Sequence, residues 1–330
     1  MEVSQKSAAR QVFGVLFIYI ETLPDVQEEP YMRFSVLRVS YLMNMKKILV
    51  LVCLCLLTFL TVEAIETSDF TLSKIQVLPI KDTQADRQYE LYIKLPEGYS
   101  KNKDKVYPVI YLTDAVWQIE LLSGSTEFQM EDAILVGISW QKDINEALMK
   151  EKGEHVSRNR DYSISKSSNP EIQAKYQLGQ ASNHLTFIRN DVIKTIEKNF
   201  RTDPDNRTYF GFSAGGRFGA YILMAQPDTF KNYILGSPSL WRDIPLLFSL
   251  ENAALKSKAS AINLFISYGE LEKELSPHIE EFVTKLKAKK YEGLSSIKHI
   301  VIDDSGHSDS FPMLGVRSVK WLSDLNNESK

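Results

Sequence analysis

One hexapeptide limits the folds open to this chain more than any other feature. Gly211-Phe212-Ser213-Ala214-Gly215-Gly216 follows the apolar run TYFGF and opens Ala214–Ala225, which reads as a helix that stops before Pro227. A serine in G-x-S-x-G between a strand and a helix sits on a sharp turn, and the small residues around it let the two elements approach. Ser213 then projects at the C-terminal edge of a sheet and at a helix N-terminus, where a nucleophile is exposed. The flanking elements, more than the bare motif, carry this reading.

The rest of the chain agrees with such a sheet. Short apolar or alternating runs at 73–80, 88–95, 107–113, 133–139, 207–212, 232–236, 261–268 and 297–303 predict eight strands. Between the later ones lie helical patterns. Leu185, Ile188, Val192, Ile196 and Phe200 keep the spacing of one amphipathic helix, Ser276-Pro277 opens another, and 312–325 reads as a last one. Strands alternating with helices predict an α/β fold, with a mostly parallel sheet covered on both faces. The first two strands have no helix between them, so an antiparallel start is expected. Residues 141–180 are polar without a clear period and read as a loop or small insertion near the site, and 115–130 reads as a second loop region.

A serine hydroxyl needs a base, and in this strand order the base comes last, after the acid. His307 fits, in the loop Asp303-Asp304-Ser305-Gly306-His307-Ser308 after the final strand. His155 and His184 precede the serine, His299 lies within a strand and His278 in a helix's first turn. The acid should follow the strand before the base. Glu272 stands three residues after the Gly269 that ends INLFISYG; Glu270, Glu274, Asp303 and Asp304 compete with it. Its role would be to hold the imidazole tautomer and stabilise the imidazolium. The oxyanion hole needs backbone N–H donors: Ala214, next to the nucleophile, and Ala115, in the turn after the third strand. Asp114 and Trp117 would line the same rim.

The N-terminal segment has a different grammar. Residues 45–64 combine Lys46 and Lys47, an apolar run from Ile48 to Leu60 and the small-residue site Val62-Glu63-Ala64. This predicts a signal peptide cleaved near Ala64 and an exported, periplasmic or secreted protein; the apolar run is short for a membrane span, and the membrane is a partner only if the segment stays uncleaved. Residues 1–44 then read as an upstream extension outside the fold, with 65–330 as a single catalytic domain. Sequencing the natural precursor decides this start, and a peptide from 1–44 would refute it. The only cysteines, Cys53 and Cys55, fall inside the apolar run, so 65–330 offers no disulfide, thiolate metal site or cysteine nucleophile. A net charge of -3 gives no electrostatic reason to expect nucleic acid.

Taken together, the segments YPVIYLTDA, VGIS (136–139), RNRDYS (158–163), NFRTDPDNRTYFGFSAGG (199–216), GSPSLW (236–241), GELE (269–272) and DSGHSDS (304–310) resemble the esterase branch of the α/β hydrolases. That branch includes esterase-D-like enzymes, feruloyl and acetyl esterases, and siderophore esterases that open enterobactin-type lactones. The resemblance spans about 70–325 and implies the α/β-hydrolase fold, a Ser213–His307–Glu272 triad and an acyl-enzyme route. It sets Ala115 where such enzymes usually carry glycine, which puts a methyl at the rim. It also implies that the 158–163 segment, through Arg160, and the run Ser237-Pro238-Ser239-Leu240-Trp241, through Ser237 and Trp241, border the substrate.

The expected activity is carboxylic-ester hydrolysis of a small-molecule, carbohydrate or siderophore ester. Two rivals use the same fold: an acyltransferase, with an alcohol replacing water, and a non-catalytic binding module. The chemistry calls for no cofactor, and no His/carboxylate group has metal-site spacing.

Overall fold

Eight strands build one sheet: β1 (Ile75–Asp82), β2 (Arg87–Lys94), β3 (Tyr107–Leu112), β4 (Ile134–Ile138), β5 (Thr202–Phe212), β6 (Asn232–Gly236), β7 (Ile262–Gly269) and β8 (Leu294–Ile302). Their spatial order is β1-β2-β4-β3-β5-β6-β7-β8. β2 is antiparallel to β1 and to β4, and every later pairing is parallel. This is the α/β-hydrolase fold, with the expected antiparallel start. The computed structural model describes residues 45, 47, 74–241, 243–257 and 261–328. The proposed upstream extension and signal peptide lie outside the described residues, apart from Met45 and Lys47. The chain divides into Met1–Phe70 and Thr71–Lys330, and the second unit holds the whole sheet. Among the described residues no helix is long and apolar enough to cross a membrane.

The pleat explains the layers. Ile110 and Leu112 point to one face with Leu135, Phe210, Ile234 and Phe265, where Ile119 and Leu122 of the helix Ala115–Gln129 and Leu314, Val319 and Leu322 of the helix His307–Glu328 cover them. Their neighbours Val109 and Tyr111 point the other way with Val136, Tyr209, Tyr233 and Leu264, under Ala181–Phe187, Ala214–Ala225 and Ser276–Lys289. Central strands buried on both faces read as continuous apolar runs such as ILVGI, as parallel strands do.

Three expectations change. The 141–180 insertion is not a bare loop, because it folds into the short helices Glu146–Lys152, Val156–Asp161 and Pro170–Tyr176, two of them capped by Asn145 and Asn169. The 115–130 region is a full helix. The single helix expected over 185–200 is interrupted by a π segment, Ile188–Ile193, between Ala181–Phe187 and Lys194–Asn199.

A buried histidine lies within the second layer. His184 is 3% exposed and faces Tyr89, Tyr162, Phe187 and Phe218, and neither ring nitrogen meets a protein partner. Burial pulls its pKa below the ordinary histidine value, against the attraction of Asp161. Above the unfolded-chain pKa, about 6.5, both states hold it neutral and its titration costs nothing; as pH falls below that value the unfolded chain takes up a proton that the folded one refuses. His184→Phe should therefore stabilise the fold by an amount that grows as pH drops below 6.5, by up to about 1.4 kcal/mol per pH unit. Urea unfolding at pH 7.5 and pH 5 measures it, and a gap independent of pH would refute the idea.

Candidate active site

Every residue assigned to the chemistry lies just past the C-terminal end of a strand, the edge where open α/β sheets bind ligands. Asp114 follows β3, Ser213 follows β5, Ser237 follows β6, Glu272 follows β7 and His307 follows β8. The ladder continues into these turns: Ser213 N donates to Gly236 O at 2.8 Å, Ser237 N to Ser267 O at 2.7 Å and Glu270 N to Ile302 O at 2.9 Å.

Ser213 occupies φ 56°, ψ −114°, a conformation a non-glycine residue takes up only when its surroundings enforce it. The flanking glycines are required by space. A Cβ on Gly211 would stand 2.4 Å from Gly215 O, and one on Gly215 would stand 2.5 Å from Thr113 Oγ1. Asp114 is built alike, in the left-handed region before the helix Ala115–Gln129. Ala214 and Ala115 are thus the first residues of two helices, and first-turn N–H groups have no intrahelical acceptor.

His307 Nδ1 and Glu272 Oε1 stand 2.5 Å apart. The other carboxylate oxygen accepts from Ser237 Oγ at 2.6 Å and from Gly269 N at 2.5 Å. Burial alone would raise the Glu272 pKa, but the hydrogen bonds from His307, Ser237 and Gly269 outweigh it and hold the carboxyl below its ordinary range. The His307 ring lies 4.8 Å from that of Phe212, the neighbour of Ser213. Ser213 Oγ, however, makes its hydrogen bond with Ser239 Oγ at 3.3 Å, and none joins it to His307. Catalytic hydrogen bonds are often loose before substrate arrives.

Several site expectations need correction. Asp114 is fully buried: its carboxylate accepts Trp140 Nε1 at 2.7 Å and the fork of Arg158 at 2.9 and 2.8 Å, so it props the turn and does not face the rim. The Ala115 methyl also leaves the rim free, because it is buried against Gly137, where a Cβ would come within 2.7 Å. Arg160 is held by Asp161 at 2.7 and 3.1 Å and lines a separate hollow with Arg87 and Gln141. The arginine that braces the Asp114 turn is Arg158. Ser237, 1% exposed, serves the Glu272 carboxylate and touches Ser310 Oγ at 3.1 Å. Trp117 and Trp241 are both 51% exposed. Trp117 sits against Trp140, His155 and the Arg158 guanidinium, while Trp241 lines a cavity of about 580 Å³ with Ser239, Arg217, Asp243, Asn159 and Tyr176. That cavity adjoins Ser213 through Ser239. Ser239 lies inside the GSPSLW run and Arg158 inside 158–163, both segments expected to border the substrate, whereas sequence reasoning missed Arg217.

Comparison with known proteins fits this geometry. The profile of the Esterase family, described as putative esterase, matches residues 83–290, which include Ser213 and Glu272 and end before His307. Ferri-bacillibactin esterase BesA of Bacillus subtilis is 25% identical over 274 residues, 76% of this chain and 90% of the relative. Siderophore enterobactin esterase of Emericella nidulans is 35% identical over 101 residues, 28% of this chain and 33% of the relative. The crystal structure of the BES protein from Bacillus cereus superposes with a TM-score of 0.65 at 23% identity, covering 78% of this chain and 98% of that one.

Proposed function

The chain belongs to the Esterase family and is an ester-hydrolysing enzyme, and from that premise we propose that it works through Ser213, His307 and Glu272 and that its substrate is a siderophore ester. The observation that carries the first part is the Glu272–His307 hydrogen bond beside a serine in a forced conformation. The second part rests on relatives whose names are those of siderophore esterases, one of them spanned over nine-tenths of its length.

His307, its Nδ1–H held by Glu272, takes the Ser213 proton through Nε2 as the oxygen attacks the ester carbonyl. The N–H groups of Ala214 and Ala115 receive the charge that develops on the carbonyl oxygen. The tetrahedral adduct collapses, the ester C–O bond breaks, and the alcohol leaves with the proton from His307. Water, activated by the same imidazole, then releases the acid and restores Ser213.

A fluorophosphonate should label Ser213, and catecholate trilactones, free and ferric, should be opened faster than feruloyl sugars or p-nitrophenyl esters. Absence of both labelling and hydrolysis overturns the serine mechanism. Turnover of simple esters with the trilactones left intact overturns the substrate half alone.

A further inference from the structure

Arg217 lies in the first turn of the helix that Ser213 caps, its N–H donating to Ser213 O at 3.0 Å. Its side chain lines the cavity that opens beside Ser213 and Ser239. The two other arginines of this region are fully engaged: Arg158 grips Asp114 with a fork, and Arg160 grips Asp161. Arg217 is not. Its Nε is buried without a hydrogen-bond partner, and the nearest carboxylate, Asp243 Oδ2, stands 3.9 Å away. That ion pair is too long for a hydrogen bond, and both partners are largely shielded from water, with side chains 22% and 17% exposed. Burial accordingly weakens both charges, drawing the Arg217 pKa down and the Asp243 pKa up. A guanidinium is planar and rigid, and its natural complement is a pair of anionic oxygens. Lys152 lines the same cavity, which gives its charged lining two cations against the single carboxylate of Asp243.

We propose that Arg217 is an anion subsite: the enzyme takes esters that carry a carboxylate or a similar pair of anionic oxygens in the cavity beside the bond it cleaves. The inference rests on the hydrolase reading above and adds a specificity determinant to it. The substrate anion completes the buried Nε–H, and Asp243 helps aim the guanidinium while the cavity is empty. Asp243 also opposes the incoming anion, so the two residues act on binding in opposite directions.

The test compares p-nitrophenyl hemiglutarate with p-nitrophenyl hexanoate, of similar length and no charge. The wild type should prefer the anionic ester in kcat/KM. Arg217→Gln should lower that preference about 10- to 100-fold, the worth of a charge-assisted hydrogen bond, chiefly through KM. Arg217→Lys should recover part of it, and Asp243→Asn should raise it. A role confined to folding would move both esters together and give the Arg217 and Asp243 variants the same sign; that result, or an unchanged preference, overturns the subsite. Calorimetric binding of glutarate needs no turnover. A protein that neither takes a fluorophosphonate label nor cleaves any of the esters yet binds glutarate through Arg217 would overturn the serine mechanism and leave the subsite standing, while glutarate binding indifferent to Arg217→Gln overturns the subsite itself.

Discussion

Ser213→Ala is expected to lower kcat for ester hydrolysis by about 10⁶-fold, close to 8 kcal/mol of barrier, because the covalent route disappears with the oxygen. The residual rate would come from the oxyanion donors and from water activated by His307. The fold should be indifferent to the change. Serine and alanine both carry a Cβ and meet the same cost at φ 56°, the backbone bonds to Gly236 and Arg217 remain, and only the 3.3 Å contact with Ser239 is lost. Thermal melting within a degree or two of the wild type, together with loss of fluorophosphonate labelling, would therefore isolate chemistry from stability. Ser239 is the control, since its hydroxyl is the one paired with Ser213 Oγ: labelling should survive in Ser239→Ala. Wild-type turnover of a p-nitrophenyl ester by Ser213→Ala would end the assignment.

Much of this arrangement was legible in the residues. All eight strands were, because an apolar run bounded by turns survives whatever the tertiary setting does. The exception in length is β5, which begins at Thr202 and not at 207: TDPDN is polar and contains Pro204, and it joins the sheet only through a bulged pairing beside Tyr107. The helix Ala115–Gln129 escaped because its apolar residues do not gather on one face; Gln118, Ser123 and Thr126 are buried with Ile119 and Leu122 while Trp117 and Phe128 are exposed. The last helix was expected over 312–325, whereas it starts at His307 and holds Pro312 inside. Ser213, Glu272 and His307 could be ordered along the chain because strand order dictates it. The side on which a neighbour falls could not. Arg158 and Arg160 are two residues apart on a short helix and face different carboxylates, and the burial of Asp114, Ala115 and Ser237 follows from backbone turns that no local pattern announces.

Glu272→Gln is the second large effect, and its argument runs through hydrogen-bond polarity. In the folded protein three donors converge on the carboxylate: His307 Nδ1 on one oxygen, Ser237 Oγ and Gly269 N on the other. Glutamine supplies one oxygen and one NH₂. The Gly269 N–H is fixed by the backbone and must keep an acceptor, whereas the Ser237 hydroxyl can rotate, so the amide oxygen settles on the Gly269 side. The NH₂ then faces His307 Nδ1, which has to become the acceptor. The ring proton moves to Nε2, and an imidazole protonated there cannot take the Ser213 proton. Wrong-tautomer replacements of this kind cost about 10⁴ in kcat. The effect should appear in kcat with KM nearly unchanged. Stability gives an independent readout. Because the folded-state pKa of Glu272 lies below its ordinary value, the wild type gains stability that is present above about pH 4.5 and fades as pH falls through the folded pKa; Glu272→Gln should lack that component, so the two proteins converge in acid. Glu270, exposed and bonded through its carboxylate only to Asp304 N, is the comparison. If Glu270→Gln costs as much as Glu272→Gln, or if Glu272→Gln costs less than tenfold, Glu272 does not hold the imidazole in its working form.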